Sequence, residues 1–466
     1  MSSLGSRIAA TLGRAGLLRN SAALGYGQVV RLGTQIASVP VFTYYWGLHD
    51  YGTWLLLFTL PGFLVMGDLG FNFVASNAMI AASEGGNQRK AAEIFGALRT
   101  AVLTVAAVIF ALIAATLALR PALVDFAQAG SGGRALATVL ALVAYGLIGL
   151  QNASTLGGFR STGDYARGVL LFETTNVCET LTALAVVALG GNLAHVALAY
   201  LLVRASWSVF AAMRLRRHAP MLFANEGRGP ILPVLRKLAR PAMAVTAVPI
   251  ANALSIQGTV AILGAMAGPA VVPVFTTTRT LTRFIFQLTT IFSLASMPLF
   301  TSAAARGETA RMERLVNITL TAGALILLPA LLLLGLAGSW IVELWTNGLV
   351  RPGLPLLLLL EVSVLLSCAW MLISNFILSL NRQSTYSYYF LAGTLVTLAS
   401  LVPLTGTLGP LGAAIGVVLL DLAMAIWVFR AGARLGIIHS DTFRNLASLD
   451  RLKAATSLVK GKLGRQ

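Results

Sequence analysis

Apolar residues in this chain come in long, nearly unbroken blocks rather than in stripes or alternation. Blocks of roughly 20 or more mostly apolar residues occur at about 21–46, 51–82, 92–119, 135–158, 168–190, 193–213, 241–267, 271–302, 315–337, 354–380, 385–404 and 408–429. A helix rises about 1.5 Å per residue, so about 20 residues cross a hydrocarbon core of about 30 Å. The pattern predicts an all-α polytopic membrane protein of about twelve transmembrane helices. The longest connection, 214–240, is too short for a soluble domain. The first block, Asn20–Trp46, exceeds a signal-peptide core of about 7–15 residues, so it reads as an uncleaved span.

Composition agrees. Hydrophobic residues make up 57% and charged residues 11%, with a mean hydropathy of +0.81. A soluble domain carries about 25% charged residues, so a soluble enzyme and a disordered chain are both excluded. The net charge of +18 comes from 34 Lys and Arg against 16 Asp and Glu. Its placement is the informative part. If both termini and the even-numbered loops face the cytoplasm, that side holds 27 of the 34 basic residues. The other side holds Arg120, Arg134 and Arg351, and Arg31, Arg204, Arg279 and Arg283 fall within spans. This is the positive-inside asymmetry. The charge therefore reads as topology and attraction to anionic lipid, not nucleic-acid binding.

The blocks predict a cytoplasmic interfacial segment at 1–20, a six-helix lobe at 21–213, a cytoplasmic linker at 214–240, a second six-helix lobe at 241–430 and a basic cytoplasmic tail at 431–466. Leu4, Ile8, Leu12 and Leu17 among Arg7 and Arg14, and the stretch Thr442–Leu463, have the make-up of basic amphipathic helices lying on a membrane. The halves echo each other. Leu18-Arg19 precedes span one and Leu235-Arg236 span seven; Ala81-Ala82-Ser83-Glu84-Gly85 follows span two and Ala303-Ala304-Ala305-Arg306-Gly307 span eight. Parallel repeats of this kind are a transporter architecture.

Charged residues inside a bilayer are costly and normally face a bundle interior or an aqueous path. Arg31 lies near mid-span in span one. Arg279 and Arg283 lie in span eight at i,i+4, hence on one helix face. Acids within spans are Asp68, Glu173, Glu179, Glu361 and Asp421. Internal pairing would match Arg31 with Asp68, and Arg204 with Glu173 or Glu179. Otherwise Arg31, Arg279 and Arg283, with Asp68 orienting or neutralising one of them, form a site for an anion. Phosphate suits the guanidinium fork, which donates two hydrogen bonds at once. Pro61-Gly62, Pro249, Pro273, Pro298 and Pro329 are expected helix breakers.

Catalytic chemistry has no visible residues. No phosphate-binding GxxxxGK[ST] loop and no HExxH motif occurs. His49, His195, His218 and His439 are scattered, and Cys178 and Cys368 form no metal pattern. No catalytic or metal site and no cofactor is expected.

Tyr51-Gly52-Thr53-Trp54, Gly67-Asp68-Leu69-Gly70-Phe71 and the opening Asn20-Ser21 resemble polysaccharide flippases of the O-antigen type, within the MOP exporter superfamily. The six-plus-six plan resembles that family over nearly the whole chain. The resemblance implies a MATE-like bundle of two six-helix lobes around a central cavity. It implies a bacterial inner-membrane flippase moving an undecaprenyl-pyrophosphate-linked oligosaccharide by alternating access, for O-antigen, capsule or exopolysaccharide. Partners would be that polyprenyl-linked substrate, membrane lipids and other polysaccharide assembly proteins. Arg31, Arg279 and Arg283 stand in helices comparable to those lining a cationic cavity in the related lipid II flippase. Proton or sodium coupling would rest on Asp68, Glu361 or Asp421. The alternatives are a multidrug/cation antiporter of the same fold, which calls for an acidic cavity, and a polysaccharide polymerase or ligase, which calls for a large periplasmic loop.

Overall fold

The computed structural model of the chain describes residues 2–119, 132–224, 231–380, 382 and 384–438. The predicted interfacial stretch Thr442–Leu463, His439 and Arg120 lie outside the described residues, as do the side chains of Leu4, Ile8, Leu12, Leu17 and Pro298. Every regular element among the described residues is helical. Among the described residues, ten helical stretches are long and apolar enough to cross a membrane, and the chain is a multi-pass membrane protein.

The chain divides into two compact units, Met1–Ala253 and Leu254–Gln466. The boundary falls inside the predicted seventh span, 241–267, rather than in the linker 214–240.

The first unit comprises α1 (Ser2–Leu57), α2 (Thr59–Val65), α3 (Phe71–Glu84), α4 (Gln88–Leu119), α5 (Gly132–Ser161), α6 (Tyr165–Ala188), α7 (Leu193–His218) and α8 (Ile231–Ala253). The membrane-compatible stretch Ala22–Glu84 has 63 residues, or about 95 Å of helix, far more than one crossing needs. Gly47, at φ 68° and ψ −177°, kinks it where the sequence separates spans one and two. A second break lies at Leu69 and Gly70, with φ of 44° and 72°. Pro61-Gly62, the expected interruption, sits in the first turn of α2, directly after the break at Phe58. Proline lacks an N–H, and only the turn at Phe58 just before α2 reflects that loss. The larger break comes from the left-handed pair. Thr246 Oγ1 of α8 donates to Leu69 O at 2.7 Å and holds it. That bond, with α8 packed on α3 and α4, explains why the unit extends to Ala253.

The second unit opens with a π-helical turn, Leu254–Gly258, a few residues after Pro249. It continues as α9 (Thr259–Ala267), α10 (Val272–Ala305), α11 (Thr309–Trp345), α12 (Leu354–Ser379), α13 (Ser384–Leu408) and α14 (Pro410–Arg434). Pro273 takes a first-turn position in α10, where a missing N–H costs nothing. Pro329 lies inside α11. The tightest helical contact is at the α13–α14 hairpin: a Cβ on Gly412 would lie 2.0 Å from Leu404 O.

Candidate substrate site: charged side chains within the spans

In the first unit, Arg31 of α1 is ion-paired to Glu173 of α6, Nη1 to Oε1. Gly27, one turn before Arg31, makes room for this: a Cβ there would lie 2.7 Å from Glu173 Oε1. Asn176 Nδ2 donates to Glu173 Oε2 at 3.1 Å. The Arg31 side chain is still 43% exposed.

Asp68 is not the partner of Arg31. It sits just before the break and caps α3. Its Oδ1 accepts from Asn72 N at 3.1 Å and from Asn72 Nδ2 at 2.5 Å, and Ser154 Oγ donates to Asn72 Oδ1 at 2.8 Å. First-turn N–H groups of a helix have no intrahelical acceptor, and a carboxylate satisfies one. The acid of the Gly67–Phe71 motif thus stabilises a broken helix.

Arg204 of α7 is paired with Glu179 of α6, Nε to Oε1 at 2.7 Å and Nη2 to Oε2 at 2.8 Å. Its guanidinium lies 3.7 Å from the Tyr145 ring centroid, and Tyr145 Oη donates to Glu179 Oε2 at 3.0 Å. Side-chain exposures are 16% and 2%. This is a closed structural pair.

The second unit differs. Arg279 and Arg283 lie on α10, with Arg279 buried. Each approaches an aromatic ring, Arg279 at 5.9 Å from the Phe275 centroid and Arg283 at 5.3 Å from that of Phe286. Among the described residues, no carboxylate lies within 4.0 Å of either guanidinium. The acid that interacts with both electrostatically is Asp421 of α14. Its oxygens are already occupied: Ser363 Oγ donates to Oδ2 at 2.5 Å, and Ser367 Oγ and Trp370 Nε1 donate to Oδ1 at 2.7 and 3.1 Å. The three donors sit on α12 at i, i+4 and i+7, one helix face. Two guanidiniums carry ten N–H donors, and Asp421 is held by neutral donors instead.

Glu361, also on α12, is buried, and its Oε1 has no hydrogen-bond partner among the described residues. Gly335 of α11 leaves it room, since a Cβ there would lie 3.3 Å from Oε2. On α10, Thr277 Oγ1 and Gln287 Oε1 are also buried without partners among the described residues. Gln287 continues the i+4 row of Arg279 and Arg283. The row is visible in the sequence, as is the i, i+4, i+7 spacing of Ser363, Ser367 and Trp370; what the sequence lacks is the α12–α14 pairing. Among the described residues, no three His, Cys, Asp or Glu side chains come together as a metal site.

No family model and no curated protein matches the sequence. Solved structures do match. An inward-facing multidrug resistance transporter of the MATE family, in the MOP superfamily, superposes with a TM-score of 0.72 at 17% identity, covering 88% of this chain and 94% of that one. The lipid II flippase MurJ, in an inward closed conformation, gives 0.68 at 10% identity over 96% and 93%. A MOP superfamily transporter from Pyrococcus furiosus Vc1, described as having a binding pocket of reverse polarity, gives 0.61 at 17% identity over 93% and 96%. At these identities the likeness is one of architecture, and the chain has the MATE-like all-α membrane fold.

Proposed function

We propose that the chain is a flippase that moves an undecaprenyl-pyrophosphate-linked oligosaccharide across a bacterial inner membrane by alternating access, for surface polysaccharide assembly. The observation that carries this reading is the pair Arg279 and Arg283 on one face of α10, with no carboxylate within 4.0 Å among the described residues. Arginine does not give up its proton in a protein. Two such charges within a membrane helix are costly unless an anion meets them. A pyrophosphate presents several oxygens to the guanidinium fork and matches the double charge. A cationic drug would be repelled.

Arg31 plays a second role. A half-exposed guanidinium near mid-span implies a water-filled path rather than hydrocarbon, and the Glu173 contact leaves part of its fork for a passing phosphate. Coupling to a proton or sodium gradient falls to Glu361. Asp68 serves as a helix cap and Asp421 is saturated by three donors, whereas Glu361 Oε1 is buried and unsatisfied.

The same Glu361 favours the second reading, a multidrug/cation antiporter, because an unpaired buried acid would also bind a cation. Proteoliposomes loaded with a fluorescent polyprenyl-pyrophosphate oligosaccharide separate the two. Under the flippase reading, Arg279→Ala and Arg283→Ala each slow translocation at least about tenfold, the cost of one charge-assisted hydrogen bond. Translocation at the wild-type rate in both variants overturns it. Drug efflux lost on Glu361→Gln, with no lipid movement in the wild type, selects the antiporter.

A further inference from the structure

We propose that the second unit carries a binding site for the phosphate of an anionic membrane phospholipid, built by Arg382, Arg430 and Arg434. Trp427, Arg430 and Arg434 fall at i, i+3 and i+7 on α14, hence on one face. Arg382 lies in the turn entering α13. These residues, with Thr385 and Leu435, line a concavity of about 340 Å³. Its wall is fixed: Trp427 Nε1 donates to Thr385 O at 2.9 Å, and the Tyr389 ring lies 3.5 Å from that of Trp427.

Three like charges around one small cavity repel each other. Several other arginines near helix ends are matched locally: Arg89 by Glu93, Arg167 by Asp164, Arg311 by Glu308 and Arg351 by Glu343. Among the described residues, Arg382, Arg430 and Arg434 have no acid within 4.0 Å. An anion from outside the chain would supply what they lack.

The lining selects its source. Trp427 and Leu435 give the cavity an apolar side, and the exposed Tyr388 and Tyr389 nearby have the make-up of an interfacial aromatic belt. In the orientation expected from the basic residues, this end faces the cytoplasm, where the leaflet is anionic. Basic pockets between spans on that side bind acidic lipid headgroups. A phosphodiester placed among the guanidiniums leaves its acyl chains to run along the apolar side into the bilayer. The site stands independently of the transport reading.

Native mass spectrometry of the purified full chain titrated with phosphatidylglycerol or phosphatidylcholine tests the site. Phosphatidylglycerol is expected to bind more tightly. Arg430→Gln with Arg434→Gln should weaken it about thirtyfold, from about fivefold per basic residue near an anionic surface, and leave phosphatidylcholine unchanged. Arg430→Lys with Arg434→Lys, which keeps the charge, should retain most of the affinity and shows that loss in the first variant is not misfolding. Arg214→Gln with Arg217→Gln, exposed and outside the cavity, should leave binding unchanged. Equal affinity for the two lipids, an equal loss in the Arg214/Arg217 variant, or displacement of phosphatidylglycerol by millimolar inorganic phosphate would each overturn the proposal.

Discussion

Glu179→Gln and Glu173→Gln make the same chemical change to two arginine partners, and the structure predicts very different costs. Glu179 is 2% exposed and its partner Arg204 16%, and the pair is closed by two short bonds and the Tyr145 hydroxyl. Removing one partner of a buried ion pair leaves an uncompensated charge and costs about 3–5 kcal/mol. Glu173 is 13% exposed and Arg31 43%. A pair on the proposed water-filled path contributes about 1 kcal/mol or less. The ratio of the two losses is therefore at least about three. Unfolding in mixed micelles by added denaturing detergent, followed by circular dichroism, measures both. A third variant, Glu179→Gln with Arg204→Met, removes the stranded charge and should recover most of the loss, because apolar replacement of a buried pair is often neutral. Equal costs for the two single variants, or a double variant no more stable than Glu179→Gln, would refute the assignment of Arg204–Glu179 as the closed structural pair.

Other changes probe single contacts. Gly412→Ala places a Cβ 2.0 Å from Leu404 O and 2.3 Å from Leu404 C, both backbone atoms, so folded protein recovered by size-exclusion chromatography should fall sharply. Gly27→Ala pushes into the Glu173 carboxylate and should slow transport while costing stability no more than Glu173→Gln does in the same detergent unfolding. Asp421→Asn turns an acceptor toward Ser363, Ser367 and Trp370 into a partial donor, at a cost of about 1–3 kcal/mol. It also removes the acid that interacts electrostatically with Arg279 and Arg283, so a pyrophosphate ligand should bind more tightly by titration calorimetry. Glu361→Gln should leave the unfolding midpoint unchanged or raised, since a buried unpaired carboxylate is a liability, while transport loses its dependence on an imposed ion gradient.

The spans were legible because hydrocarbon imposes one requirement, about 20 apolar residues per crossing, and blocks such as 354–380 and 408–429 meet it directly. The pairings were less legible, because block composition fixes neither helix rotation nor which helices adjoin. Of the acids within spans, Asp68 is nearest Arg31 in sequence, yet the partner is Glu173, 142 residues away. The bare face of α1 at Gly27, opposite Glu173 of α6, decides this, and two helices must meet before that glycine has a meaning. Span two was expected to break at its proline. It is interrupted at Phe58, three residues before Pro61, and more widely at Leu69 and Gly70, where a threonine from α8 holds the backbone, a tertiary cause that local propensity does not carry. The Ser363, Ser367 and Trp370 face was readable as a polar row on an apolar helix, and Asp421 as its partner was not.

In the proposed mechanism, Arg279 and Arg283 hold the pyrophosphate. The most direct measurement of this is the equilibrium affinity of the purified chain, in lipid nanodiscs, for a short-chain polyprenyl pyrophosphate, compared with the Arg279→Gln, Arg283→Gln double variant. Loss of two charge-assisted bonds predicts a weakening of about a hundredfold or more, with an unfolding midpoint of the ligand-free protein unchanged or raised. Equal affinity in wild type and variant would contradict the account.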